Sequence, residues 1–225
     1  MRLLITGASS GIGRELAYLM RDQAKLVLMA RRAKELQQVA KETGAIAICG
    51  DVGNFSDCER LVEAAQGEGE LCLVCAAGSA YFADLVTQTP ESIEAQIRSN
   101  LLGSIYAAKA AVPKMLESRE GQIINILSIA GSVPFSGCSG YGSAKAGALM
   151  FTKVLSAEYR QHGIRCTALS PGAVNTPIWE GQSFKPDPDQ MMTPRAIAET
   201  IRDLLFLPKD RSVDELTIMP PHGIL

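Results

Sequence analysis

A doubly wound α/β fold with a parallel sheet is the class this sequence predicts, and three observations predict it. Short apolar runs alternate with longer amphipathic or alanine-rich stretches along the whole chain, the pattern of repeated βα units. The first run, Arg2-Leu3-Leu4-Ile5-Thr6, passes directly into a glycine-rich turn and a helix-forming stretch. The 225 residues, 47% of them hydrophobic, are enough to close one sizeable core and short for two domains of usual size, so one domain over 1–225 is expected.

The elements follow in order. Strands are predicted near 2–6, 25–30, 45–49, 70–76, 121–128, 163–169 and 212–219, each a short apolar run. Helices are predicted at about 11–22, 32–43, 56–66, 90–117, 139–162 and 193–206. Seven strands and six helices make a doubly wound sheet. The segment from Pro177 to Met192 breaks the alternation, because Gly181, Pro186, Pro188 and several polar residues prevent a long regular element. It also carries Trp179, Phe184, Met191 and Met192, more large apolar side chains than a solvated loop needs. A lid that covers the substrate with Trp179 or Phe184 is the expectation, with Phe135 and Tyr81 as the next place to look for the specificity pocket.

Composition narrows the function. The 22 basic and 24 acidic residues nearly cancel, so no global field argues for nucleic acid or a membrane surface. Six cysteines are scattered through a chain whose core needs no staples, which favours reduced thiols. Cys72 and Cys75, three apart on a predicted strand, point to opposite faces and read as inert core thiols. With two histidines and no ligand cluster, no metal is expected. The start at Met1 lacks the basic and apolar regions of a signal peptide, and no apolar run approaches the ~20 residues of a membrane span. A cytoplasmic protein is expected.

The first strand ends at Thr6-Gly7-Ala8-Ser9-Ser10-Gly11-Ile12-Gly13. Glycines there let the backbone turn sharply and approach a pyrophosphate, whose charge is favoured by free N–H groups at the start of the next helix. The spacing differs from the G-x-G-x-x-G fingerprint, so the motif alone is compatible with a plain glycine-rich turn. After the second strand come Arg31 and Arg32, where the adenosine ribose of a dinucleotide would sit. An acidic residue there suits a ribose 2′-hydroxyl, whereas arginine suits a 2′-phosphate, which selects NADP(H) over NAD(H).

Tyr141 and Lys145 are four apart at the front of a predicted helix and share one of its faces. An ammonium beside a phenol stabilises phenolate. Lowering the phenol pKa from about 10 to about 7 takes roughly 4 kcal/mol, to which a cationic nicotinamide also contributes. The pair follows a fifth strand whose C-terminal end should lie at the same sheet edge as the glycine turn, where open α/β sheets bind ligands.

Together these residues resemble the short-chain dehydrogenase/reductase family across nearly the whole chain. The likeness rests on the glycine turn, Asp51-Val52, Asn100, Ser128, Tyr141-Gly142-Ser143-Ala144-Lys145 and Pro171-Gly172-Ala173-Val174-Asn175-Thr176, in the family's order and approximate spacing. It implies a Rossmann fold and hydride transfer between a nicotinamide and a carbonyl/alcohol pair, with Tyr141 as acid/base. By the same resemblance Ser128 polarises the substrate carbonyl, Lys145 binds the nicotinamide ribose and depresses the Tyr141 pKa, and Asn100 holds a relay water. Gly7, Ser9, Ser10, Gly11, Ile12 and Gly13 would hold the pyrophosphate side of the cofactor. Asp51 and Val52 would face the adenine, Ala77 and Gly78 would offer backbone contacts, and Pro171, Gly172, Val174 and Thr176 would shape the nicotinamide end. One departure is visible: Cys75-Ala76-Ala77-Gly78 stands where the family commonly has Asn-Asn-Ala-Gly, which puts local ordering in doubt.

The expected partner is a small carbonyl or alcohol. A 3-oxoacyl-type reductase and a non-catalytic NADP sensor are the alternatives; the sensor has no need for Ser128, Tyr141, Lys145 and Asn100 together. The resemblance also implies a homodimer, or a homotetramer, through two long helices. Small residues at Gly103, Ala107, Ala108, Ala110, Ala111, Gly142, Gly147 and Ala148 would permit their close approach.

Overall fold

The computed structural model describes residues 1–182 and 184–225; Ser183, inside the expected lid, lies outside the described residues. Seven strands form one parallel sheet: β1 (Arg2–Thr6), β2 (Lys25–Ala30), β3 (Ile46–Cys49), β4 (Leu71–Cys75), β5 (Gly121–Ile126), β6 (Ile164–Pro171) and β7 (Glu215–Ile218). Their order across the sheet is β3-β2-β1-β4-β5-β6-β7, with every pairing parallel. The chain winds outward through β2 and β3, then returns to the far side of β1 with β4. That reversal opens a crevice beyond the C-terminal ends of β1 and β4.

The strands read as continuous apolar runs because helices cover both faces. Alternation along β1 sends Leu3 and Ile5 to one side, into a core completed by α1 (Gly11–Met20), α2 (Ala33–Thr43) and α7 (Pro194–Leu205). Leu4 points the other way, toward α3 (Phe55–Glu63) and α5 (Gly103–Ser118). Cys72 and Cys75 fall in these two opposite cores, as their spacing requires. Two helix starts carry the expected signals. Thr89 and Thr193 accept from the backbone N–H groups of Ser92 and Ala196, and Pro90 and Pro194 occupy the first helical position of α4 (Pro90–Ile97) and α7.

The predicted helix over 90–117 is three pieces. Between α4 and α5 lies a π-helical turn, Arg98–Leu102. Its cause is tertiary: Asn100 Nδ2 donates both to Gln96 O, one turn back, and to Ser79 O in the loop after β4, drawing the helix wall outward. π-Turns of this kind gather at functional sites. The predicted strand over 121–128 ends earlier, at Ile126, and Ser128 instead caps a 3₁₀ turn, Ile129–Gly131. The long helix α6 (Ser139–Tyr159) gives way to a 3₁₀ turn at Arg160–His162.

Part of the small-residue stripe packs within the chain itself. Gly103, Ala107, Ala108 and Ala111 face the core of their own chain, where a Cβ on Gly103 would meet Val52 Cγ2 at 2.5 Å. Ala148 is likewise fully buried. These residues let α5 and α6 sit close on the sheet within one molecule. Among the described residues no helix is long and apolar enough to cross a membrane.

Candidate active site

The glycine turn is dictated by crowding. Gly7 has φ +70°, and a Cβ there would stand 2.6 Å from Ala76 O and 2.7 Å from Ala77 Cα. Only glycine lets β1 leave the sheet against the end of β4. Thr6 Oγ1 reinforces that approach by accepting from the N–H groups of Ala76 and Ala77, each at 3.2 Å. The hydroxyl thus orders the Cys75-Ala76-Ala77-Gly78 segment without the asparagine side chains whose absence left its ordering in doubt.

From this junction a cleft of about 480 Å³ runs along the C-terminal edge of the sheet. Its walls include Gly7, Ser9, Ser10, Gly11 and Ile12 from the turn, and Arg31 and Arg32 after β2. Asp51 and Val52 after β3 and Ala77 and Gly78 after β4 also line it, as do Asn100, Ser128, Tyr141, Lys145, Pro171, Val174 and Thr176. Two expected contacts lie behind the wall instead. Gly13 is needed because a Cβ there would meet Gly7 O at 2.7 Å, and Gly172 donates its N–H to Ile218 O at 2.8 Å and packs against Met219 and Pro220. Both shape the cleft through the backbone.

At one end, Arg32 sends Nε and Nη2 to Ser9 Oγ (3.3 and 3.1 Å), tying the second strand's exit to the glycine turn. Arg31 is exposed at the rim. Asp51 Oδ1 accepts from the Gly53 N–H at 2.9 Å, so this carboxylate stabilises its own turn as well as facing the cleft.

At the other end α6 delivers Tyr141 and Lys145, 7% and 5% exposed. Ser128 lies on the Tyr141 side of the cleft and acts to lower the phenol, and its Oγ accepts from the Ala130 N–H at 3.1 Å. Lys145 Nζ donates to Ile126 O at 2.9 Å and lies 5.6 Å from the Tyr141 ring centroid. Burial dominates both groups. It pushes the tyrosine up to about 12, against the opposing pull of Ser128, and brings the lysine down to about 8. Desolvation of the phenolate thus sets the direction of the tyrosine's shift, upward, opposite to the lowering expected from its lysine neighbour.

Asn100, 1% exposed, holds Ser79 O with Nδ2 at 2.7 Å. Its Oδ1 is buried with no partner among the described residues. A Cβ at Gly78 would lie 2.5 Å from that oxygen and 3.8 Å from Lys145 Nζ, so the bare glycine keeps the space between amide and ammonium free of side chain.

Sequence reasoning missed the aromatic wall. The Phe82 ring stands edge-on to Tyr141 (centroids 5.6 Å apart, 84°) and packs on Trp179 at 5.3 Å. Trp179 is fixed by Nε1 donating to Val174 O at 3.0 Å, while Phe184 is 59% exposed. Tyr81 is 43% exposed, and Phe135 lines a separate groove beside the start of α6. Met191 is buried and Met192 packs on the core, with Asn175 N–H donating to Met192 O and Met192 N–H to Ala173 O. Trp179 and Met192, near the two ends of the 177–192 segment, are thus pinned. Spacing alone gave no signal for Phe82, which lies in an irregular segment.

A glycine turn at the switch point of a parallel sheet, in a cleft shared with buried Tyr141, Lys145 and Asn100 and half-buried Ser128, defines a dinucleotide-binding α/β class. The family profile described as short chain dehydrogenase matches residues 2–186. An uncharacterized oxidoreductase of Staphylococcus aureus is 33% identical over 223 residues, covering 96% of each chain. Among solved structures, the closed form of serine dehydrogenase complexed with NADP⁺ superposes with a TM-score of 0.88 at 27% identity, covering 100% of this chain and 97% of that one. An alcohol dehydrogenase from the archaeon Thermococcus sibiricus, complexed with 5-hydroxy-NADP, gives 0.85 at 29% identity, covering 99% and 97%. This chain belongs to the short-chain dehydrogenase family and is an oxidoreductase of it.

The crowding at the turn can be tested directly. Gly7→Ala forces a side chain into a left-handed position against backbone, and a loss of about 1–3 kcal/mol in urea unfolding is expected. An unchanged unfolding midpoint would show that the two strand ends have room to part.

Proposed function

We propose that this chain interconverts a carbonyl and an alcohol with NADP(H) in preference to NAD(H), and that Tyr141 is the acid/base. The observation that carries the reading is the convergence of Ser128, Tyr141, Lys145 and Asn100 in the same cleft as the glycine turn and Arg31. A nucleotide sensor has no use for that set, three of whose members are buried at a cost.

The residues fit the cofactor. The turn from Gly7 to Ile12 and the start of α1 would hold the pyrophosphate, Arg31 and Arg32 the 2′-phosphate, Asp51 and Val52 the adenine, and Thr176 and Lys145 the nicotinamide side. Hydride transfer to or from the substrate carbon is the chemistry a bound nicotinamide supplies. In the reductive direction Ser128 and Tyr141 donate hydrogen bonds to the carbonyl oxygen, where charge develops. Tyr141, kept protonated by burial, gives its proton to the forming alkoxide. Lys145, charged below about pH 8, stabilises the phenolate left behind. Asn100 Oδ1, facing the gap beside Gly78, would hold a water that returns a proton toward Lys145.

We further propose a homodimer. Its support is the outer face of α6, where Met150 and Val154 are 60% and 46% exposed one turn apart.

Four measurements test this reading. Tyr141→Phe keeps the ring and removes the proton, so NADPH binding should persist while turnover across ketones, aldehydes, acyl thioesters and pterins falls about 10²–10⁴-fold; near-normal turnover would exclude Tyr141 as the acid. Reductive turnover should decline as pH rises through about 8, where Lys145 loses its charge, and Lys145→Met should abolish that limb along with most activity. Arg31→Ala should weaken NADPH by about tenfold or more and leave NADH nearly unchanged, since only NADPH carries the 2′-phosphate; equal losses would remove Arg31 from that role. Light scattering at micromolar concentration should return twice the 24.0 kDa chain mass, and a monomer would refute the dimer.

A further inference from the structure

The segment from Ser79 to Ala83 forms neither helix nor strand, yet it carries the ring that faces Tyr141. Its backbone groups need partners from elsewhere, and side-chain amides supply them. Asn100 Nδ2 donates to Ser79 O at 2.7 Å, Gln96 Oε1 accepts from the Tyr81 N–H at 3.0 Å, and Gln88 Nε2 donates to Ala83 O at 2.7 Å. Gln88 and Gln96 are themselves buried, 7% and 2% exposed, and Gln96 Nε2 also donates to Ser92 O. They fasten one side of the segment to α4 and the π-turn.

The other side is held by Gln182, a hundred residues away in sequence. Its Nε2 donates to Ala80 O at 2.8 Å while its Oε1 accepts from the Phe82 N–H at 2.9 Å. One carboxamide thus pairs with an acceptor and a donor two residues apart, as a neighbouring strand would. The same Nε2 donates to Ile178 O at 3.1 Å, which joins the clasp to the turn bearing Trp179.

We infer that Gln182 is a positioning residue for substrate recognition. Its carboxamide clasps the 80–82 backbone across the cleft and so holds Phe82 between Tyr141 and Trp179. The group of rings that results, edge-on at Tyr141 and tilted at Trp179, is apolar, and it selects carbonyl substrates whose flank is apolar. This rests on Tyr141 being the proton donor, because the wall is defined by its distance from that ring. A glutamate at 182 keeps the acceptor for Phe82 N–H and loses the donor for Ala80 O; a methionine keeps the length and loses both.

Trp179 is the only tryptophan in the chain, so its fluorescence reads the clasp without any turnover. Gln182→Met and Gln182→Glu are compared with the wild-type protein by acrylamide quenching, by thermal melting, and by kcat and KM over carbonyls with apolar and polar flanks. Quenching of Trp179 should rise about two- to threefold in Gln182→Met and less in Gln182→Glu, which retains one bond. KM for apolar-flanked carbonyls should rise about tenfold with kcat changed less than about threefold, and KM for NADPH should stay within about twofold. In a Phe82→Leu background the same substitution should add less than about twofold, because the ring it positions is gone. Unchanged quenching in both variants, a proportional loss on every substrate, or an undiminished effect in Phe82→Leu would overturn the assignment. Should Gln182→Met melt early, Gln182→Glu, with half the clasp, decides. If the wild-type protein turns over no carbonyl, the catalytic reading fails on its own, and quenching alone still decides whether Gln182 holds the wall.

Discussion

The contact between the ends of β1 and β4 is the constraint on which the site depends. Gly7 passes within van der Waals distance of Ala76 and Ala77, and Thr6 Oγ1 binds both of their N–H groups. This is where the winding of the sheet reverses, so adjacent connections leave in opposite directions and a crevice opens between them. A side chain at position 7 would drive the two exits apart. The start of α1, the Ala77–Gly78 backbone and the gap between Asn100 and Lys145 are all placed relative to that one close approach.

Around it the protein buries groups that would be better solvated in water. Lys145 is held 5% exposed with an ordinary value of 10.5 brought down to about 8. The folded state therefore binds this proton less tightly than the unfolded chain. The resulting penalty is fully present below about pH 8 and is relieved as pH rises toward 10.5. Tyr141 has the opposite shift, from 10.0 to about 12, which leaves stability unaffected below pH 10 and erodes it above. The unpartnered Asn100 Oδ1 adds a third cost. Structure alone gains nothing from such a cluster, whereas a site that must hold charge only transiently does.

Irregular backbone near the site is satisfied by amide side chains in place of a ladder. The break between α4 and α5 and the shape of the 79–83 segment are one phenomenon, since Asn100 both widens its own helix turn and holds Ser79. Helical periodicity over 90–117 runs straight through that break, because it records which face is apolar and is blind to a hydrogen bond made to a loop 21 residues earlier. The small residues of α5 carry a related ambiguity. Close packing is needed wherever two surfaces approach, and Gly103 approaches Val52 of its own chain.

Ser128 and Asn100 came only with the family resemblance; what the sequence by itself determined was the alternation of strands and helices, the glycine turn, the arginines after the second strand, and the pairing of Tyr141 with Lys145. These are local patterns whose physical reasons, a steric limit at Gly7 or a shared helix face for Tyr141 and Lys145, act over a few residues. Tertiary structure alone decided that Gly13 and Gly172 stand behind the cleft wall, that Phe82 faces Tyr141, and that Gln182 reaches Ala80 and Phe82. Those pairings join segments that only the folded sheet brings together. No periodicity encodes them, because their energy comes from satisfying backbone groups that exist as unmet donors and acceptors only once the chain has folded.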